Sequence, residues 1–136
     1  MSPWLPAALA SLVIFGFWGF FPKLAVAYLD PRSALIYQVL GEMMVGLLVL
    51  FSLNLHPAFH SRGSLFAFLT GVAGVAGTLF FFTAAERGKI SLVVSVTALY
   101  PLITIILAAL FLKEPMTLKH LAGMAFALLA ILLLST

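Results

Sequence analysis

Ser33-Ala-Leu-Ile-Tyr-Gln-Val-Leu-Gly-Glu42-Met-Met-Val-Gly46-Leu-Leu-Val-Leu-Phe-Ser-Leu53 is apolar along most of its length and carries one formal charge, Glu42, near its middle. Leu47 to Leu50 are apolar at four successive positions, which breaks the alternation of lipid-facing and lumen-facing side chains that a transmembrane β-strand requires. A hydrocarbon core about 30 Å thick takes roughly 20 apolar residues per helical crossing, and residues 33–53 have that length. The stretch reads as a membrane-spanning helix.

Outward from it, the runs at about 5–21, 64–85, 90–112 and 118–134 repeat the pattern, so five crossings nearly exhaust the 136 residues. The expected fold is an all-α integral membrane protein, one domain over residues 1–136, multi-pass in the cell membrane and in contact with the lipid bilayer. Composition agrees: 64% of residues are hydrophobic, mean hydropathy is +1.23, and 8% are charged, against about a quarter in a soluble domain. Ten of the eleven charges fall between the apolar runs or, as Lys119 does, at the very end of one, and Glu42 alone lies well inside a run. Disordered chains, disulfide scaffolds and collagen-like chains are excluded by this hydrophobicity, by the absence of cysteine and by glycines without a triplet period. Six of the seven prolines (Pro3, Pro6, Pro22, Pro31, Pro57 and Pro115) and all three histidines are expected in the connections.

A secretory signal is the rival reading of the first run, with Ala25-Val26-Ala27 as its cleavage site. It lacks a basic n-region, because residues 1–14 contain no Lys or Arg, and a retained helix is the better reading. With five spans, Arg62, Lys113 and Lys119 lie on one membrane face and Lys23, Arg32, Arg87 and Lys89 on the other. A difference of one charge fixes neither orientation under the positive-inside rule and permits insertion both ways. The net charge of +3 is split between the two faces, with no basic run to follow a phosphate backbone, so no nucleic-acid partner is expected.

Helices associate in lipid through small residues and polar contacts. Gly71, Gly74 and Gly77 line the third run together with Ala67, Thr78 and Ala85, as a packing face or the wall of a solute path. Gly16 and Gly19 flank Trp18 on the first run, and the indole reads as an interfacial anchor or a ligand-facing ring. Pro101 cannot donate to the Thr97 carbonyl, so the fourth helix is expected to kink there. Ser91, Ser95, Thr97 and Thr104 supply hydroxyls around that kink, and Tyr100 stands beside it as a possible ligand contact.

Glu42 is the sharpest feature. It shares a helical face with Gln38 and Gly46, and Tyr37 precedes the pair. A charge at mid-bilayer is costly and usually marks an ion, proton or solute path. Three readings stay open: proton coupling or cation binding, a structural carboxylic acid between helices, and a position at the lipid edge. Glu86, Arg87 and Lys89, and then Lys113-Glu114-Pro115, read as interfacial loops or gating charges, and Thr117 as the cap of the last helix. His56 and His60 lack the companions of a metal site, and neither a metal nor a cofactor is expected. No nucleophile, zinc-protease or phosphate-loop pattern occurs, so the chain is read as a carrier and not as an enzyme.

Phe82-Thr-Ala-Ala-Glu-Arg-Gly88-Lys-Ile-Ser-Leu-Val-Val94, Leu99-Tyr-Pro101, Leu110-Phe-Leu-Lys-Glu-Pro115 and Leu121-Ala-Gly123 together resemble the repeat of the EamA family in the drug/metabolite transporter superfamily. Trp18-Gly-Phe-Phe-Pro-Lys23 is similar to that family's first-helix motif. The resemblance implies two inverted five-helix repeats around a central cavity that moves small solutes by alternating access. Trp18, Tyr100 and Pro101 would line or bend around the cavity, and Glu114 would fix the end of the fourth helix. This chain matches one repeat, so the expectation is a homodimer, antiparallel if insertion is dual, or a heterodimer with a second half. The alternative is a noncatalytic membrane subunit or modulator.

Overall fold

The computed structural model describes residues 3–135. These form six helices: α1 (Leu5–Ala25), α2 (Pro31–Ser52), α3 (Ser61–Arg87), α4 (Ile90–Thr97), α5 (Tyr100–Phe111) and α6 (Leu118–Ser135). Among the described residues there is no strand. Four segments are long and apolar enough to cross a membrane: α1, α2, α3 and the stretch Ile90–Phe111 that α4 and α5 share. α6 has 18 residues and reaches about 27 Å, slightly less than a hydrocarbon core of ~30 Å. Four spans and a shorter apolar helix are therefore what the structure supports.

Each helix extends past or stops short of its expected limits for a local reason. α1 continues through Pro22 and Lys23 to Ala25, where the Val26 N–H still donates to the Pro22 carbonyl at 3.0 Å. Pro22 thus lies buried inside a helix and not in a connection, and Pro6 and Pro31 sit in first turns, where a missing N–H costs nothing. α2 begins at Pro31 because Asp30 caps it, accepting from the Arg32 and Ser33 N–H groups at 3.0 and 3.1 Å. At its other end Asn54 and Leu55 both take left-handed φ, 52° and 62°, and the Leu55 N–H returns to the Leu50 carbonyl at 3.1 Å. α3 begins at Ser61, where the Gly63 N–H donates to His60 Nδ1 at 3.2 Å, and it runs on through Glu86 and Arg87, which belong to its last turn and not to a loop.

The fourth span is divided and not merely bent. α4 ends at Thr97, Ala98 and Leu99 form a turn, and α5 starts at Tyr100 with Pro101 in its first turn. The break precedes Pro101 because the proline ring crowds the Thr97 carbonyl and brings no N–H to it, while φ of the ring suits the start of a new helix. Two bonds of shorter reach, Leu99 N–H to the Val96 carbonyl at 3.2 Å and Leu102 N–H to the Leu99 carbonyl at 3.0 Å, carry the chain across.

The chain divides into two compact units after Arg87. In the first, α3 packs against both α1 and α2, and its buried residues gather toward one end: Pro22 of α1, Ala34 of α2, and Thr78, Phe81, Phe82 and Ala85 of α3. The core is small because lipid tails are as apolar as leucine and leave little to gain by hiding leucine from them. In the second unit α4 packs against α6, and none of the described residues of α4 or α5 is buried.

Candidate functional site

Gln38 and Glu42 are one turn apart on α2, and the Gln38 Nε2 donates to Glu42 Oε1 at 2.7 Å. Glu42 is the twelfth residue of a 22-residue helix and so stands at mid-span. Helical period places Leu35, Gln38, Glu42 and Gly46 on one stripe. At the Asp30 end this stripe is covered: Ala34 is buried, and Leu35 and Gln38 are half-buried. Further along, Glu42 and Gly46 are exposed, as is Tyr37 on the flank.

α3 repeats the arrangement with opposite polarity along the chain. Ala85, Thr78, Gly74 and Gly71 follow one stripe; Ala85 and Thr78 are buried, and Gly74 and Gly71 are not. A methyl group built on Gly71, Gly74 or Gly77 would meet no neighbouring atom, and the same holds at Gly16. Gly19, beside Trp18, is half-buried. The glycine row is thus open space in the single chain, while its continuation toward Ala85 forms the core. The Thr78 hydroxyl donates to the Gly74 carbonyl at 2.8 Å, so its burial leaves no unmet donor.

Trp18 lies against Phe81, with ring centroids 5.3 Å apart and planes inclined by 35°, and keeps 39% of its surface exposed. Five residues further along α1, Lys23 Nζ donates to the Ala85 carbonyl at 2.7 Å. Sequence reasoning treated Lys23 as a loop charge and missed this contact. The available signal was position: the last turn of a helix that can run through Pro22 brings a lysine within reach of the carbonyls that end a neighbouring helix.

In the second unit, Tyr100 is exposed in the first turn of α5. Ser95 donates to the Ser91 carbonyl at 2.8 Å, Thr97 to those of Val93 and Val94 at 2.9 and 3.1 Å, and Thr104 to that of Tyr100 at 3.3 Å. These hydroxyls serve their own preceding turns and do not bridge the break. Lys113 adopts a left-handed φ of 55°, which turns the Glu114 N–H back to the Ala108 carbonyl at 3.4 Å and closes α5. Thr117 caps α6 as expected: its Oγ1 accepts from the His120 N–H at 3.3 Å, and His120 Nδ1 accepts from the Thr117 N–H at 3.4 Å. Glu86 and Arg87, in the last turn of α3, form a loose pair 4.0 Å apart.

The first unit thus offers a hydrogen-bonded carboxylate midway along α2 and, on α3, a row of glycines open enough for another backbone or a solute. Comparison with known proteins agrees with a transport role. The profile described as the EamA-like transporter family matches residues 2–136. An uncharacterized protein of Methanocaldococcus jannaschii is 39% identical over 70 residues, covering 52% of this chain and 51% of that protein. The uncharacterized transporter YvbV of Bacillus subtilis is 45% identical over 60 residues, covering 44% of this chain and 20% of that protein. The aligned stretch thus spans about half of the first relative and a fifth of the second. No solved structure matches.

Proposed function

Because the chain belongs to the EamA-like transporter family, we propose that it carries a small solute, such as a metabolite, an amino acid or a drug-like compound, across the cell membrane by alternating access. The carrier consists of two five-helix halves, with α6 as the fifth crossing of each. The observation that supports this best is the Gln38–Glu42 pair, held at 2.7 Å midway along α2 on a face that α1 and α3 leave uncovered. A carboxylate facing lipid at that depth is costly, at least ~2.5 kcal/mol on the most lenient scale, so a second protein surface or a water-filled cavity has to meet it. A second copy inserted in the opposite sense would do so, as would a separately encoded half. The near-even division of Lys and Arg between the faces fits the first arrangement.

In this reading Glu42 exchanges a proton or cation as the solute binds and leaves, with Gln38 holding the carboxylate and Tyr37 beside it. Trp18 on α1 and Tyr100 on α5 supply aromatic contacts. The Ala98–Leu99 turn, set by Pro101 and flanked by Ser95 and Thr97, is the point at which the fourth span bends as access alternates. A second reading, a noncatalytic subunit that assembles with another membrane protein, draws on the open row of Gly71, Gly74 and Gly77. Liposomes holding only this chain separate the two. Uptake of radiolabelled amino acids or nucleosides, or of ethidium, is the expected result. Uptake that requires a co-reconstituted partner favours a heterodimer, and failure of every solute with every partner favours the subunit.

A further inference from the structure

Two adjoining grooves run between α2 and α3, and Leu79 lines both. The first, about 480 Å³, lies where α2 begins and α3 ends and has Arg32, Glu86 and Arg87 on its rim with Phe80 in its wall. The second, about 580 Å³, is lined only by apolar residues and glycine, from Leu79 through Val75 and Val72 to Phe68, with Leu35 opposite. Phe68 to Leu79 spans about 16 Å of helix, close to half of the hydrocarbon core and hence the depth of one leaflet. The charged groove stands at helix ends, where headgroups lie.

We infer that this composite groove seats one phospholipid with a zwitterionic, primary-amine headgroup, its phosphate between Arg32 and Arg87, its ammonium on Glu86 and one acyl chain along Leu79, Val75 and Val72. The guanidinium groups are the phosphate partners because each offers several N–H donors in a planar fork. Arg87 retains 79% of its side-chain surface and Glu86 41%, and the 4.0 Å separating them leaves both able to turn toward a ligand. Asp30, also on the rim, is committed to capping α2 through the Arg32 and Ser33 N–H groups, which leaves Glu86 as the acceptor for the amine. Two cations and two anions on one rim suit a zwitterion better than a net anion. Neither Gln38 nor Glu42 lines either groove, so the lipid seat is separate from the proposed carboxylate site and stands whether or not the solute reading holds; of the glycine row, Gly71 lines the apolar groove.

The test is native mass spectrometry of the purified full chain with phosphatidylethanolamine, phosphatidylglycerol or phosphatidylcholine supplied at equal concentration. The expected result is at least fivefold greater retention of phosphatidylethanolamine than of either other lipid. Arg32→Gln and Arg87→Gln should each lower retention of all three lipids at least threefold, and Glu86→Gln should erase the preference for phosphatidylethanolamine over both other lipids. Arg62→Gln, at the start of α3, should change nothing. Val72→Trp, at an exposed position, fills the apolar groove and should lower retention without touching a charge, which separates lipid loss from misfolding of the arginine variants. Equal retention of the three lipids, indifference to both arginine variants, or displacement of the lipid by free phosphoethanolamine would overturn the assignment.

Discussion

Lys23 in the last turn of α1 donates its ammonium to the carbonyl of Ala85, 62 residues later, at 2.7 Å. Ala85 is fully buried, and its carbonyl belongs to the last turn of α3, where no further helical N–H is available to every acceptor. The bond therefore ties two helices together where their shared packing is densest and places a cation at the negative end of α3.

Removing that donor should be costly. Lys23→Met keeps the length and apolar stem of the side chain while leaving a buried carbonyl short of its partner, a loss of about 1–3 kcal/mol. Reversible unfolding in mixed micelles is the measurement, with Lys23→Arg retaining most of the stability.

The cap of α2 sets an acid limit on the same end of the molecule. The Ser33 hydroxyl and then the backbone N–H groups of Ser33 and Arg32 hold the Asp30 carboxyl below its ordinary value. A depressed folded-state pKa means that the contribution is present above the unfolded value of about 3.9 and is lost as pH falls through the lower, folded one. Stability of the wild type should therefore drop more than that of Asp30→Asn as pH is lowered from about 5 toward 2, with the two curves compared in the same detergent.

Pro101 divides the fourth span by what it lacks. In Pro101→Ala the restored N–H can reach the Thr97 carbonyl, and residues 90–111 should become one helix. Hydrogen exchange should then show protection at residue 101 and slower exchange at Ala98 and Leu99. In the transport reading, solute turnover slows as well, because the hinge is gone.

Gly74→Leu distinguishes an assembly face from an idle one. A Cβ at Gly74 has no neighbouring atom within 4 Å, so the isolated chain should keep its helicity and stability. Chemical crosslinking in membranes should show at least a fivefold loss of dimer, since a leucine blocks close backbone approach.

The sequence made the helical, membrane-embedded architecture readable because an apolar run of about twenty residues has few other uses. It was less informative about boundaries. Pro22 and Lys23 looked like a connection, yet α1 passes through both because the proline is packed in the core and Lys23 finds a carbonyl on α3. Pro101 pointed to the disturbance, but a linear pattern could not distinguish a bend from two helices joined at Ala98 and Leu99. Glu42 and Gln38 were placed on one face by spacing alone, and the 2.7 Å hydrogen bond follows from that spacing. That the face is uncovered while Ala85 and Thr78 are buried depends on how α1 and α2 lie on α3, which local periodicity does not encode.

The most direct test of the central claim is proton movement in liposomes holding this chain, followed by a lumenal pH dye while a solute that the wild type accumulates is added outside. The account predicts a pH change coupled to solute entry in the wild type, abolished in Glu42→Gln even if that variant still exchanges solute. Full transport by Glu42→Gln with an unchanged pH dependence would contradict it.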